Sequence, residues 1–162
     1  MRESIQDPSS LWPARHIVRA GGLFGVGFAA NTDLLLVATH AGRGVIDCVS
    51  GELVARDRDP SFPFDEQSRR AEGIGPIAGQ EIPLAGEIFG GTLSHETNDG
   101  WRLVGQLSNN SDDVIQLIAP IGTSDEAGTF TGFVPEVRGF GFSPTGRSFV
   151  IATGAEVFTF AR

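Results

Sequence analysis

Tyrosine is absent from this chain, cysteine occurs once and lysine-type helix formers are few. A lone Cys48 has no partner for an internal disulfide. Nothing at the N-terminus has the basic, apolar and small-residue order of a secretory leader, because Arg2, Glu3, Asp7 and Pro8 interrupt it. The expected compartment is therefore a reducing cytoplasm. Long apolar runs are missing too. The best, Leu23 to Ala41, holds Asn31 and Asp33 at its centre and glycines before them, so it fails as a membrane span of about twenty apolar residues and reads as two strands and a turn. Positive charge is in deficit: a formal charge of −8 and a pI near 4.7 argue against binding nucleic-acid phosphates, leaving plain solubility or a basic protein partner.

Catalytic signatures are equally scarce. No Gly-x-Ser-x-Gly occurs, and the pairs Gly25-Val26-Gly27 and Gly73-Ile74-Gly75 lack the third glycine and the helix start that cradle a phosphate. Asp112-Asp113 and Asp125-Glu126 offer too few oxygens at regular alternation for calcium, and no zinc spacing is present. No catalytic set assembles, and neither cofactor nor metal is expected.

What the chain does have is 22 glycines and 12 phenylalanines in 162 residues, a composition suited to strands and turns in one all-β domain with little helix. Residues 1–14 read as a polar N-terminal arm in which Leu11 and Trp12 plug a groove or cap the core, with Trp12 an anchor. His16 to Ala20 reads as a short strand. Residues 57–80 read as a long loop with one helical turn over Asp65 to Ala71, and loops of that length are usually functional or mobile. Cys48, on an apolar strand, reads as a small buried hydrophobe.

Two segments match without a gap. Gly25 to Thr39 lies on Gly139 to Thr153, with Gly25, Gly27, Phe28, Ala38 and Thr39 recurring as Gly139, Gly141, Phe142, Ala152 and Thr153. The first copy continues through Gly44 to Val49 and Leu53 to Arg56, four strands in all. The C-terminal copy has only three, ending on Val157 to Phe160. The hypothesis that follows is pairing of His16 to Ala20 with Val157 to Phe160, which supplies the missing strand from the other chain end. A fainter third copy runs from Leu107 to Ile118, and Ile121 to Thr131 reads as a Gly, Ser and Thr-rich connection.

Phe142-Ser143-Pro144-Thr145-Gly146-Arg147 and the apolar strand after it resemble the Phe-Ser-Pro-Asp-Gly-Arg hairpin of WD40-like and TolB-like β-propellers, with Thr145 where that family usually has Asp. In such a hairpin Pro fixes the first turn angle, Gly accepts a positive one, and Phe fills the space between blades. The resemblance implies a small propeller-like array of antiparallel β-meander units; a β-sandwich or small barrel is the alternative. It implies no activity, because propellers host unrelated functions.

Two site readings compete. The favoured one is a non-enzymatic protein-binding or scaffolding module, in one version an inhibitor or immunity-type protein for a basic enzyme. Its contact residues are Arg58, Asp59, Phe62, Phe64, Asp65, Arg69 and Arg70, in the mixed-charge loop. The other is a small-ligand-binding or hydrolytic protein whose loop-lined pocket uses His40, His95, Glu96 and Asp99. A homo-oligomer whose incomplete blades pair between subunits is a further expectation.

Overall fold

The computed structural model describes residues 4–5, 12–86, 92–107, 113–122, 128–131 and 136–162. In chain order its strands are β1 (Ser4–Ile5), β2 (Ala14–Arg19), β3 (Leu23–Phe28), β4 (Leu34–Thr39), β5 (Gly42–Asp47), β6 (Glu52–Asp57), β7 (Phe64–Asp65), β8 (Arg70–Glu72), β9 (Glu81–Pro83), β10 (Arg102–Gln106), β11 (Val114–Ile118), β12 (Gly128–Thr131), β13 (Val137–Phe142), β14 (Ser148–Thr153) and β15 (Glu156–Ala161). The only helical turn among the described residues is a 3₁₀ turn at Gly75–Ile77, and no helix there is long and apolar enough to cross a membrane. The all-β expectation holds.

The strands form four antiparallel sheets: sheet A in the order β1-β12-β11-β10, sheet B as β13-β14-β15-β2, sheet C as β3-β4-β5-β6 and sheet D as β7-β8-β9. The pairing of the two chain ends is present. Val157 lies opposite Val18, Phe158 opposite Ile17 and Phe160 opposite Arg15, so β2 is the fourth strand of sheet B.

Three apolar clusters show how the sheets face one another. Leu103, Ile115, Leu117 and Phe130 of sheet A pack with Phe140, Phe149, Ile151, Phe158 and Phe160 of sheet B. Val150, Ala152 and Val157, on the opposite face of sheet B, pack with Val26, Leu35, Val37 and Ile46 of sheet C. Leu36, Ala38 and Val45, on the far face of sheet C, pack with Ala71 and Ile82 of sheet D. Because successive side chains of a strand point to opposite faces, the run Phe149-Val150-Ile151-Ala152 serves two interfaces at once. Such unbroken apolar runs belong to strands covered on both sides, whereas the alternation in β8 and β10 marks strands covered on one. Trp12 is the anchor expected of it: buried between sheets A and B, its ring stands edge-on to Trp101 at 5.5 Å and to Phe149 at 5.0 Å.

The two matched segments share their backbone register. Leu23 pairs with Thr39 and Gly25 with Ala38, a bulge lying between; Val137 pairs with Thr153 and Gly139 with Ala152, again with a bulge between. The turns correspond as well, Ala29 N–H donating to Leu34 O and Ser143 N–H to Ser148 O. Both glycines at the second shared position face a close neighbour. A Cβ on Gly27 would overlap the Pro83 carbonyl, and one on Gly141 would overlap Leu93. The connection from sheet D to sheet A requires this clearance. It exchanges two hydrogen bonds between Ala85 and Val26 of β3, then Ser94 O accepts from Phe142 N–H of β13.

Thr145 has its own explanation. Its hydroxyl sits 2.9 Å from both oxygens of Asp33, the carboxylate in the corresponding turn of sheet C, and Ser148 Oγ–H donates to Asp33 Oδ1 at 2.6 Å. An aspartate there would set two like charges together, whereas threonine supplies a donor.

Several expectations are corrected. The helical turn over Asp65 to Ala71 is a hairpin between β7 and β8, because the Asp65 carboxylate accepts the N–H groups of Gln67 and Ser68 and closes a turn instead. Strands β7 and β8 thus occupy the middle of the segment read as a loop. The connection Ile121 to Thr131 contains β12, with Phe130 fully buried. Asp113 is buried, and its Oδ2 accepts Val137 N–H at 2.8 Å. Leu11, the polar turn of the third faint copy at Ser108 to Asp112, and Asp125-Glu126 lie outside the described residues.

Candidate functional site

The residues of the mixed-charge segment do not share one environment. Phe62 is 8 % exposed and belongs to the core between sheets C and D, meeting the Phe24 ring edge-on at 6.1 Å. The Arg43 guanidinium lies over it at 5.1 Å from the ring centre and pairs with Asp57 at 2.6 Å, while donating to Glu72 O at 2.9 Å. That hydrogen-bonded pair holds the Asp57 carboxyl below its usual range. Phe62 therefore fixes the loop to the core, and its ring is not a free contact surface. Arg58 and Asp59 are exposed beyond it, with Asp59 N–H bound to Asp57 Oδ1 and Ser61 N–H to Asp59 Oδ1. Arg69 takes a left-handed φ of 57° at the β7–β8 turn, and its carbonyl accepts Leu84 N–H at 2.8 Å.

Phe64, Asp65 and Arg70 do come together. With Pro63, Glu72 and Glu81 they line an open hollow of about 670 Å³ on the side of sheet D that faces away from sheet C. The strand period builds this face. In β8, Ala71 points into the core while Arg70 and Glu72 point out; in β9, Ile82 points in while Glu81 and Pro83 point out. Register then sets the charge pattern. Asp65 lies opposite Arg70, an attractive pair, but Glu72 lies directly opposite Glu81. Like charges directly opposite in an antiparallel ladder destabilise it. Hydrogen bonds from Ser68, then Gln67, hold Asp65 below the usual carboxylate range, so it stays ionised to more acidic pH. The hollow thus presents three carboxylates and one guanidinium, with Phe64 at its border, since that residue lies opposite Ala71 and its ring meets Phe24 on the core side. Glu72 and Glu81 were missed by sequence reading, since only the ladder register reveals that they meet.

The second candidate set is only partly brought together. His40, exposed at the β4–β5 turn, leans on Phe24 with ring centres 5.2 Å apart, next to sheet D. His95 stacks flat on Phe140 of sheet B at 4.4 Å, with Glu96 bridged to Arg102 of β10. Asp99 forms a two-pronged pair with Arg162, at 2.6 and 2.8 Å, and Arg162 also covers the Trp12 ring. Glu96 and Asp99 do line one open hollow of about 380 Å³ with Arg162, but neither His40 nor His95 is part of it. Among the described residues no three His, Cys, Asp or Glu side chains gather as a metal site. Cys48 is fully buried, and burial, with Asp33 and Asp47 nearby, pushes its thiol pKa well up, so it is a poor nucleophile at neutral pH.

No protein-family model and no curated protein matches this chain.

Proposed function

We propose that the chain is a non-enzymatic binding module that docks a basic protein segment on the outer face of sheet D. The observation that carries this reading is the Glu72–Glu81 pair, two like charges held opposite one another on an exposed face where opposite charges would be cheaper. A cationic side chain seated between them turns that repulsion into two attractions. In a chain of charge −8 the long-range field also draws a basic partner. The inhibitor or immunity-type role is the specific version of this reading.

The scaffold reading that accompanies it is a propeller-like array. Its support is the stacking of four antiparallel sheets in the order A, B, C, D, with shared register and bulge in the hairpins that begin sheets B and C, and with β2 completing sheet B.

The test is affinity capture from native lysate at low salt, run with the wild-type chain and with Glu72→Gln/Glu81→Gln. The expected result is one stoichiometric basic protein, released by salt and lost with the double variant. Absence of such a partner at low salt, or its equal retention by the variant, overturns the proposal. Glu81→Gln alone should raise stability by about 0.2–1 kcal/mol, since it removes the repulsion, measured as a higher urea midpoint at unchanged slope.

A further inference from the structure

A sheet can grow at its end strands, because each leaves one row of N–H and C=O groups unpaired. The end strands of this molecule are unequal. β1 and β7 are two residues long and β9 three, while β6 is broken by a register shift that leaves Val54 without a ladder partner. β3, β10 and β13 are each bridged by the segment that runs from sheet D to sheet A. Among the described strands, β2 alone offers an end of six residues in unbroken register, from Ala14 opposite Ala161 to Arg19 opposite Glu156.

The ladder fixes which of its backbone groups face outward. Ala20 N–H donates to Ala155 O, and on the other side of β15 Arg162 N–H donates to Arg147 O, so odd-numbered residues of β15 bond to β2 and even-numbered ones to β14. Their partners on β2 are Ala14, His16 and Val18. The N–H and C=O groups of Ile17 and Arg19 therefore point away from the sheet, and neither residue has another hydrogen bond among the described residues.

Side chains alternate along the same strand. Val18 faces sheet C beside a cavity of about 230 Å³ that Val37, Ile46 and Leu53 also line, whereas Ile17 and Arg19 lie on the opposite face, Ile17 being 54 % exposed. Arg19 is exposed and makes no ion pair with Glu156, its ladder partner. In a chain of charge −8, β2 holds two arginines, one histidine and no carboxylate.

We infer that this edge accepts an extended segment of another protein as a fifth, antiparallel strand of sheet B, with an acidic residue opposite Arg19 and apolar residues opposite Val18 and Ile17. Main-chain hydrogen bonds to Ile17 and Arg19 supply affinity, and the alternating side chains supply selectivity. A second copy of the chain is a poor occupant. Full antiparallel overlap of two β2 strands sets Arg15 against Arg19, like charges directly opposite. The site is independent of the sheet D face and does not rest on the reading given for it.

The probe is the peptide acetyl-Ser-Glu-Leu-Val-Thr-Thr-Ser-amide, whose Glu, Leu and Val come opposite Arg19, Val18 and Ile17, titrated into the full chain and followed by amide NMR. Saturable shifts are expected along β2, with hydrogen exchange at the Ile17 and Arg19 amides slowed at least about tenfold at saturation. N-methylation of the peptide's Val removes the donor to Ile17 O and should weaken binding at least about tenfold, whereas N-methylation of its Leu, whose N–H points to solvent, should cost less than about threefold. Replacing the peptide's Glu by Lys should weaken binding at least about threefold, and Arg19→Glu should reverse that order. No saturable shift up to about 10 mM, equal losses from the two N-methyl peptides, or the same charge preference in Arg19→Glu would each overturn the inference. Concentration-dependent protection of the same amides without peptide would also overturn it, giving the edge to a second copy. The N-methyl comparison uses only the wild-type chain, so it decides the matter even if the variant fails to fold.

Discussion

Sheets B and C differ from sheets A and D in one respect that governs the rest: the first two are covered on both faces, the second two on one. In β4 and β14 consecutive residues are buried, Leu35-Leu36-Val37-Ala38 and Phe149-Val150-Ile151-Ala152, and each strand feeds two clusters. In β8 and β10 burial alternates, and the outward positions carry Arg70, Glu72, Arg102 and Val104. The inner pair holds the molecule together, while the outer pair presents surfaces. The partner face proposed for sheet D follows from that division, because a sheet buried on one side can hold charge on the other without a desolvation cost.

The stabilising role of the inner sheets is tested most directly at Phe149. It is fully buried, stacked on Phe160 at 4.6 Å and edge-on to Trp12, so Phe149→Ala should cost about 3–5 kcal/mol in urea unfolding followed by circular dichroism. Val104, 40 % exposed on the open face of sheet A, should cost no more than about 0.5 kcal/mol as Val104→Ala. Equal costs would mean that the inner sheets are not the main source of stability.

Next in size are the two glycines. Gly27→Ala or Gly141→Ala puts a methyl group against the segment that crosses β3 and β13, the Pro83 carbonyl in one case and Leu93 with Ser94 O in the other. Overpacking of this kind costs about 1–3 kcal/mol. Gly21→Ala, whose Cβ would meet nothing within 4 Å, is the control and should stay within about 0.5 kcal/mol. A Gly27 variant as stable as the Gly21 control would show that the crossing segment is not held close to the inner sheets.

The inner sheets were legible in the sequence because their signal is dense. Six-residue apolar strands, a gapless match from Gly25 to Thr39 onto Gly139 to Thr153, and the β2 and β15 patterns at the chain ends all led to structure that is present. Most of sheet D was not legible: the β signal returns at Ile82-Pro83-Leu84, where β9 lies, but β7 has two residues and β8 three, too few to show a period of two. Phe62 and Phe64 read as surface aromatics for the same reason: without the small sheet there was nothing to indicate that Phe62 packs inward. The facing of Glu72 and Glu81 depends on ladder register, and the Asp33 bridge to Thr145 and Ser148 spans more than a hundred residues of chain. No local pattern carries either.

Asp33 ties the turns of the two inner sheets together at their junction. Asp33→Ala removes the acceptor for the hydroxyls of Thr145 and the fully buried Ser148, and leaving a buried donor unpaired costs about 1–3 kcal/mol. Thr145→Ala removes only the exposed partner, so it should cost less in the same urea series. The reverse order would place the strength of the junction at its rim.

The smallest effect belongs to the tie between the sheet A side and the end of β15, where Asp99 meets Arg162. Hydrogen bonds from Arg162 first, then Thr97, hold the Asp99 carboxyl far below its usual range. A carboxyl with a depressed folded pKa stabilises the fold above its unfolded value, near 3.9, and that contribution fades as pH falls through the lower folded value. Asp99 is more than half exposed, so solvent screens the pair and Asp99→Asn should cost only about 0.5–1 kcal/mol at pH 7. The gap between wild type and variant should stay level from about pH 8 to pH 5 and close progressively below about pH 4. A gap unchanged at pH 3 would show that Arg162 is held by its place on the Trp12 ring and its bond to Gly146 O rather than by the charge on Asp99, leaving the outer sheet attached through packing alone.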